Sequence, residues 1–176
     1  MTPKHHIVFL TGAGISQESG ISTFRDANGL WNNHKLEEVA SPEGFEKNPQ
    51  LVLDFYNARR RQLDEVNPNE AHHLIAQLET KYNVTIITQN IDDLHERAGS
   101  TNVLHLHGEL RKSRSSKNPK LIYDCNQDIK LGDLASDGNQ LRPHIVWFGE
   151  AVTEIEKAIA ITQSADLFII VGTSMV

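Results

Sequence analysis

Thr11-Gly12-Ala13-Gly14-Ile15-Ser16 directly follows the apolar run Ile7-Val8-Phe9-Leu10. In nucleotide-binding α/β sheets such a turn lets the backbone approach a pyrophosphate, and the next helix N-terminus supplies N–H groups and a favourable dipole. Gly12, Ala13, Gly14 and Ser16 are therefore candidate cofactor-binding residues. Gly-x-Gly also serves any tight strand-to-helix turn, and position 17 is Gln where the usual fingerprint has its third glycine. Thr88-Gln89-Asn90-Ile91-Asp92 follows a second apolar run, where open α/β sheets place ligands. Gln89, Asn90 and Asp92 can hydrogen-bond ribose hydroxyls and a carboxamide, or Asn90 and Asp92 can cap a helix. His107 ends Leu104-His105-Leu106-His107, beside Gly108. Imidazole takes a proton near neutral pH without extreme tuning, so His107 is a general-base candidate; a core histidine or a metal pair with His105 are the alternatives. Tyr56 and Arg59 stand three apart, so a helix puts them on one face where they can receive a carboxylate. The arginine triplet at 59–61 equally describes a solvated face.

Alternating apolar strands and helical periodicity supply the frame. Residues 7–10 suit a parallel strand buried on both faces. Residues 71–82 repeat apolar side chains at helical spacing, 84–88 read as a strand, 92–98 as a short helix closed by Gly99, and 102–107 as a further strand. Core-like sequence returns at 145–148, followed by a helix over about 153–164 and a buried strand at 166–171. The fold class implied is α/β, a doubly wound, parallel, Rossmann-like sheet built from 1–25, 69–110 and 143–176 and incomplete at its C-terminus. Two insertions interrupt it: a small helical one at 26–68, and an irregular polar one at 111–142.

The 176 residues, 39% hydrophobic, suffice for one substantial core. With 17 basic against 23 acidic residues and a net charge of -6, composition draws the chain to neither nucleic acid nor an anionic membrane. Cys125 is the single cysteine, which excludes an intramolecular disulfide and a cysteine-based zinc site and fits a reducing cytosol. The first ten residues are too short in their apolar part for a signal peptide, and no later run approaches a membrane span. A soluble, cytoplasmic protein is expected.

The motifs gain meaning together. Gly12 through Phe24-Arg25, Gly29-Leu30-Trp31, Thr88–Asp92, His107-Gly108, Val146-Trp147-Phe148-Gly149-Glu150 and Gly172-Thr173-Ser174 occur in order over nearly the whole chain. In this they resemble the sirtuin family of NAD-dependent protein deacylases, with the best match to bacterial members and to the mitochondrial desuccinylase-like class. The resemblance implies NAD as cofactor, acylated lysine side chains of proteins as partners, and passage of the acyl group to ADP-ribose with release of nicotinamide. It makes His107 the base for a ribose hydroxyl, assigns Gln89 and Asn90 to the ribose and its attacking water, and lets Asp92 orient nicotinamide. Phe24 would shield the nicotinamide pocket and Arg25 lie near the phosphates, while Gly172, Thr173 and Ser174 complete the cofactor loops. Val146, Trp147 and Phe148 resemble the segment that pairs with substrate backbone and lines the acyl-lysine tunnel; as bare sequence they read as a buried strand. The tyrosine-x-x-arginine of the desuccinylase-like class matches Tyr56 and Arg59, favouring acyl groups that end in an acid, with Ala40 a small wall residue.

Two departures stand out. Most relatives hold zinc with four cysteines in the second insertion, so no metal is expected here and the 111–142 module would be looser or packed differently. Relatives also continue past Gly-Thr-Ser with further strands, a ribose-contacting Asn and the adenine site, so an edge of the sheet would be exposed and the adenosine half of the crevice missing. Two other activities therefore stand beside deacylation: a shortened, non-catalytic sirtuin that binds peptides, and ADP-ribosyl transfer or NAD cleavage.

Overall fold

A computed structural model of the chain describes residues 5–21, 30–31 and 34–174. In chain order its elements are β1 (His6–Thr11), a 3-10 helix (Ala13–Ser19), β2 (Leu30–Trp31), β3 (His34–Lys35), α1 (Leu36–Val39), α2 (Pro42–Lys47), α3 (Pro49–Glu65), α4 (Glu70–Leu78), β4 (Asn83–Thr88), α5 (Leu94–Arg97), β5 (Val103–His105), β6 (Gly108–Ser115), β7 (Ile122–Asp124), β8 (Leu141–Ile145), α6 (Ile155–Gln163) and β9 (Leu167–Val171). The chain forms two compact units, one of Met1–Thr23, Val66–His107 and Val152–Val176, the other of Phe24–Glu65 and Gly108–Ala151.

The first unit is built on a four-stranded sheet in the order β5-β4-β1-β9, and every pairing in it is parallel. Successive side chains of a strand point to opposite faces. Along β1, Ile7 and Phe9 join Ile15, Ile75, Val84 and Ile86 on one face, while Val8 joins Ile87, Leu104, Leu106 and Ala158 on the other. Burial on both faces is why β1 and β4 are near-continuous apolar runs. The chain steps outward from β1 to β4 to β5, then returns with β9 on the far side of β1. This reversal makes the sheet doubly wound, and it opens a crevice outside the carboxyl ends of β1 and β9. β5 ends at His105, so Leu106 and His107 belong to a turn rather than to the strand that the sequence suggests, although the Leu106 N–H still donates to the Thr88 carbonyl.

In the second unit the antiparallel order is β7-β6-β8. Leu141, Pro143 and Ile145 oppose Ser115, Ser113 and Gly108, which draws 143–145 into this sheet, whereas the sequence placed them with the parallel one. Segment 24–65 and segment 108–151 thus share one unit, where two separate insertions were expected. Two buried side chains of α3 explain the association. Asn57 donates to the Ile129 carbonyl and accepts from the Ile129 N–H, both at 2.9 Å, and Arg60 donates to the Leu110 carbonyl at 2.8 Å and to Gln127 O at 3.2 Å. Cys125 is unbridged, and among the described residues no group of three His, Cys, Asp or Glu side chains is placed to hold a metal, so the donors present do not fit a zinc ion. Side-chain to backbone hydrogen bonds secure the module. No helix among the described residues is long and apolar enough to cross a membrane.

Candidate functional site

In the first unit, three loops converge at the carboxyl ends of the parallel strands. The Gly12 N–H donates to the Val171 carbonyl at 3.1 Å and the Gly14 N–H to the Gly172 carbonyl at 2.8 Å, so the loops after β1 and β9 are laced directly to each other. A Cβ on Gly12 would stand 2.7 Å from the Thr173 Cβ, and one on Gly172, whose φ is +66°, would collide with the Ile15 amide nitrogen. The glycines are needed for this loop-to-loop approach. The helix that follows is a seven-residue 3-10 helix, not an α-helix, and the Gly14 and Ile15 amides are already committed to Gly172 and Gly12. The expected helix-dipole seat for phosphate is therefore weaker than the sequence suggests, because short 3-10 turns align their peptide groups poorly.

The loop after β4 is fastened to the same place. Asn90 donates its amide hydrogens to the Gly12 carbonyl at 3.2 Å and to Ser16 Oγ at 3.1 Å, and Ser16 in turn donates to Asp92 Oδ2 at 3.0 Å. Asp92 Oδ1 accepts from the Leu94 N–H at 3.2 Å. Asp92 thus accepts from the first N–H of α5 and from buried Ser16, but it is not the N-cap: that residue is Asp93, which makes no side-chain cap bond. Burial pushes the Asp92 carboxyl above its usual range, with the bonds from Leu94 and Ser16 pulling the other way. Gln89 Oε1 accepts from Thr173 Oγ1 at 3.0 Å, joining the β4 and β9 loops. Ala13 is half-buried, and Ser174 is exposed at the end of the described chain.

Beneath these loops, Thr11 and Thr88, the last residues of β1 and β4, are hydrogen-bonded at 2.9 Å. Since Thr11 gives its proton to Thr88, it accepts from His95 Nε2, 3.0 Å away. His95 packs edge-on against His72 with ring centroids 4.9 Å apart. Burial lowers both, His72 to about 4 and His95 to about 3, and each is further lowered by a neighbouring histidine. Sequence reasoning passed over this pair because neither residue lies in a recognisable motif.

His107 Nδ1 lies 2.9 Å from the Gln89 carbonyl. A carbonyl only accepts, so Nδ1 carries the proton and Nε2 keeps its lone pair. Burial lowers the imidazole below its ordinary value, partly offset by the bond to Gln89, so the ring is neutral at physiological pH. His105 differs. Its Nδ1 donates to the Asn90 carbonyl at 2.9 Å and its Nε2 meets Glu96 Oε1 at 2.8 Å. With both nitrogens committed, it is no metal partner for His107.

In the second unit, Tyr56 is 1% exposed and Arg59 5% exposed. Of the arginine triplet only Arg61 reaches solvent, where it pairs with Asp128, so a solvated face describes one of the three. Trp147 Nε1 donates to the Tyr56 hydroxyl at 3.0 Å, and the Phe148 N–H donates to the Ala40 carbonyl at 3.0 Å. Val146 is half-buried, Trp147 buried, and Phe148 is 60% exposed, so 146–148 is an irregular segment after β8 rather than a buried strand. Burial raises the Tyr56 hydroxyl well above its usual range, against the lowering effects of Trp147, Arg59 and Arg142. Phe24 and Arg25 lie outside the described residues.

The placement of these loops in the first unit suits NAD⁺. The loops after β1, β4 and β9 meet at the carboxyl ends of the parallel strands, where open α/β sheets bind nucleotides, with the Gln89 amide and the neutral His107 imidazole on the β4 side. Residues 12–176 match the profile of the Sir2 family. The chain is 63% identical over 170 residues to an NAD-dependent protein deacylase of Helicobacter pylori (strain ATCC 700392 / 26695), covering 97% of this chain and 74% of that protein. It is 57% identical over 176 residues to an NAD-dependent protein deacylase of Bacteroides thetaiotaomicron, covering 97% and 75%. Among solved structures, that of a Sir2 homolog–NAD complex superposes with a TM-score of 0.84 at 42% identity, covering 97% of this chain and 69% of that one. With a family profile over all but its first eleven residues and relatives of this identity, the chain belongs to the Sir2 family.

Proposed function

We propose that this chain is an NAD-dependent protein lysine deacylase that favours acyl groups ending in a carboxylate, with NAD⁺ as its cofactor. Bound NAD⁺ supplies the ribose carbon whose bond to nicotinamide breaks and the ADP-ribose that carries the acyl group away. His107 holds the lone pair of Nε2 ready for a ribose hydroxyl proton, oriented by the Gln89 carbonyl. Gln89 and Asn90 would hold the ribose and the attacking water, and Asp92, kept by burial nearer its neutral form, would orient the carboxamide of nicotinamide. Gly12, Ala13, Gly14, Ser16, Gly172, Thr173 and Ser174 form the phosphate and ribose loops.

The preference for acidic acyl groups is carried by one observation. Trp147, in the segment assigned to substrate, hydrogen-bonds Tyr56, and the Arg59 guanidinium lies one helical turn along α3, buried. A buried guanidinium with a tyrosine hydroxyl beside it favours a carboxylate, through charge-assisted hydrogen bonds, over a methyl group. The test is mass spectrometry of succinyl-lysine and acetyl-lysine peptides incubated with NAD⁺. Faster removal of succinyl supports the proposal; faster removal of acetyl overturns the preference, and turnover of neither overturns the activity.

A further inference from the structure

Glu150 ends the Val146–Glu150 motif, and nothing in the proposed chemistry uses it. Its carboxylate is nevertheless heavily engaged. It accepts from Arg142 Nη1 at 2.8 Å and Nη2 at 3.0 Å, from Arg114 Nη2 at 3.0 and 3.1 Å, and from the Trp147 backbone N–H at 2.9 Å. Arg142, itself buried, donates through Nη2 to the Ile145 carbonyl at 2.8 Å, and its guanidinium carbon stacks 3.2 Å from the centroid of the Trp147 ring. One carboxylate therefore fixes both the backbone of Trp147 and the cation lying on its indole. Phe45 covers the indole elsewhere, with centroids 5.4 Å apart.

The consequence falls on Tyr56. An indole N–H can only donate, so the 3.0 Å bond from Trp147 occupies the oxygen of Tyr56 as an acceptor and turns the phenolic proton away from the indole. We infer that Glu150 and Arg142 are positioning residues for acyl-group choice: they hold the Trp147 indole so that Tyr56 presents its hydroxyl as a donor. The inference rests on Tyr56 and Arg59 as ligands of an acyl carboxylate, and it adds two residues that contact neither that group nor the reacting atoms. Burying Arg142 at the end of β8 with its ion pair to Glu150 and its stacking on Trp147 is a costly arrangement, and a charged network with this many hydrogen bonds fixes one geometry.

Two measurements test it in the full chain. The sequence has two tryptophans, so the indole N–H region of a ¹⁵N spectrum holds two signals, and Trp147→Phe assigns them. Tyr56→Phe displaces the Trp147 signal; Glu150→Gln should displace it the same way, and an unmoved signal overturns the inference. In parallel, KM for a succinyl-lysine peptide should rise about fivefold in Glu150→Gln with kcat nearly kept and KM for acetyl-lysine unchanged, the size expected for one misplaced hydrogen bond. An equal rise for both peptides shows a merely structural role and overturns it. Arg142→Lys, which keeps the charge but not the forked, stacked guanidinium, should give the same split, and it replaces Glu150→Gln if that variant does not fold. If the unaltered chain shows no preference for succinyl, the proposed acyl specificity fails by itself, and the indole signal alone decides whether Glu150 positions Trp147.

Discussion

His107 donates its Nδ1 hydrogen to the Gln89 carbonyl at 2.9 Å, and that single bond decides which nitrogen is left to act. The carbonyl belongs to the loop that also carries Asn90 and Asp92, so the proposed base and the proposed ribose and nicotinamide contacts are set by one backbone segment. Burial lowers the His107 pKa, which keeps Nε2 unprotonated through neutrality. We expect kcat/KM to stay flat from pH 8 down to about 6.5, the ordinary imidazole value, with the acid limb falling below it. A pH–rate profile checks this, and His107→Ala should remove turnover at every pH.

Gly172 combines a left-handed backbone with contact against the Ile15 amide. Gly172→Ala should cost about 1–3 kcal/mol through strain at that position. Because the same loop is laced to Gly12 and Gly14, isothermal titration should show NAD⁺ binding weakened about tenfold or more, alongside a lower Tm.

Asn57 and Arg60 hold the 111–142 module by bonds to Ile129, Gln127 and Leu110. Asn57→Ala should destabilise by about 2–3 kcal/mol, since it leaves the buried Ile129 amide and carbonyl without partners. Thermal melts in the presence of EDTA should coincide with those in its absence. A fall in Tm on chelation would show a metal in the module.

The buried pair His72 and His95 makes stability depend on acid. In the folded chain they titrate at about 4 and about 3, while in the unfolded chain they return to about 6.5. Between these values the unfolded state binds more protons, so stability is complete above about pH 6.5 and is lost as pH falls towards 4 and then 3. Urea titrations across that window should show the loss, and His72→Gln with His95→Gln should flatten its slope.

Much of the scaffold was legible because two-sided burial writes itself as apolar runs: β1 and β4 lie where those runs stand, whereas β9, a buried strand by its sequence, lies at the end of the described sheet with Leu167, Phe168 and Ile170 exposed. The reason for Gly12 and Gly14 was not, since their partner, Gly172, is distant in sequence and the contact is between two loops. Asn57 and Arg60 were missed likewise, because the carbonyls they serve lie 72 and 50 residues away. β8 was assigned to the parallel sheet because its apolar residues fit either sheet, and only its pairing with β6 decides. Glu150 sat inside a quoted motif, yet its role needs Arg114, Arg142 and Trp147 in space.

The most direct test of the central claim is to incubate the chain with NAD⁺ and a succinyl-lysine peptide and to follow peptide mass and nicotinamide together. The expected result is loss of the succinyl group matched one for one by nicotinamide release, absent in His107→Ala and much reduced for the acetyl peptide. Nicotinamide released with no change in the peptide, or no reaction at all, would contradict it.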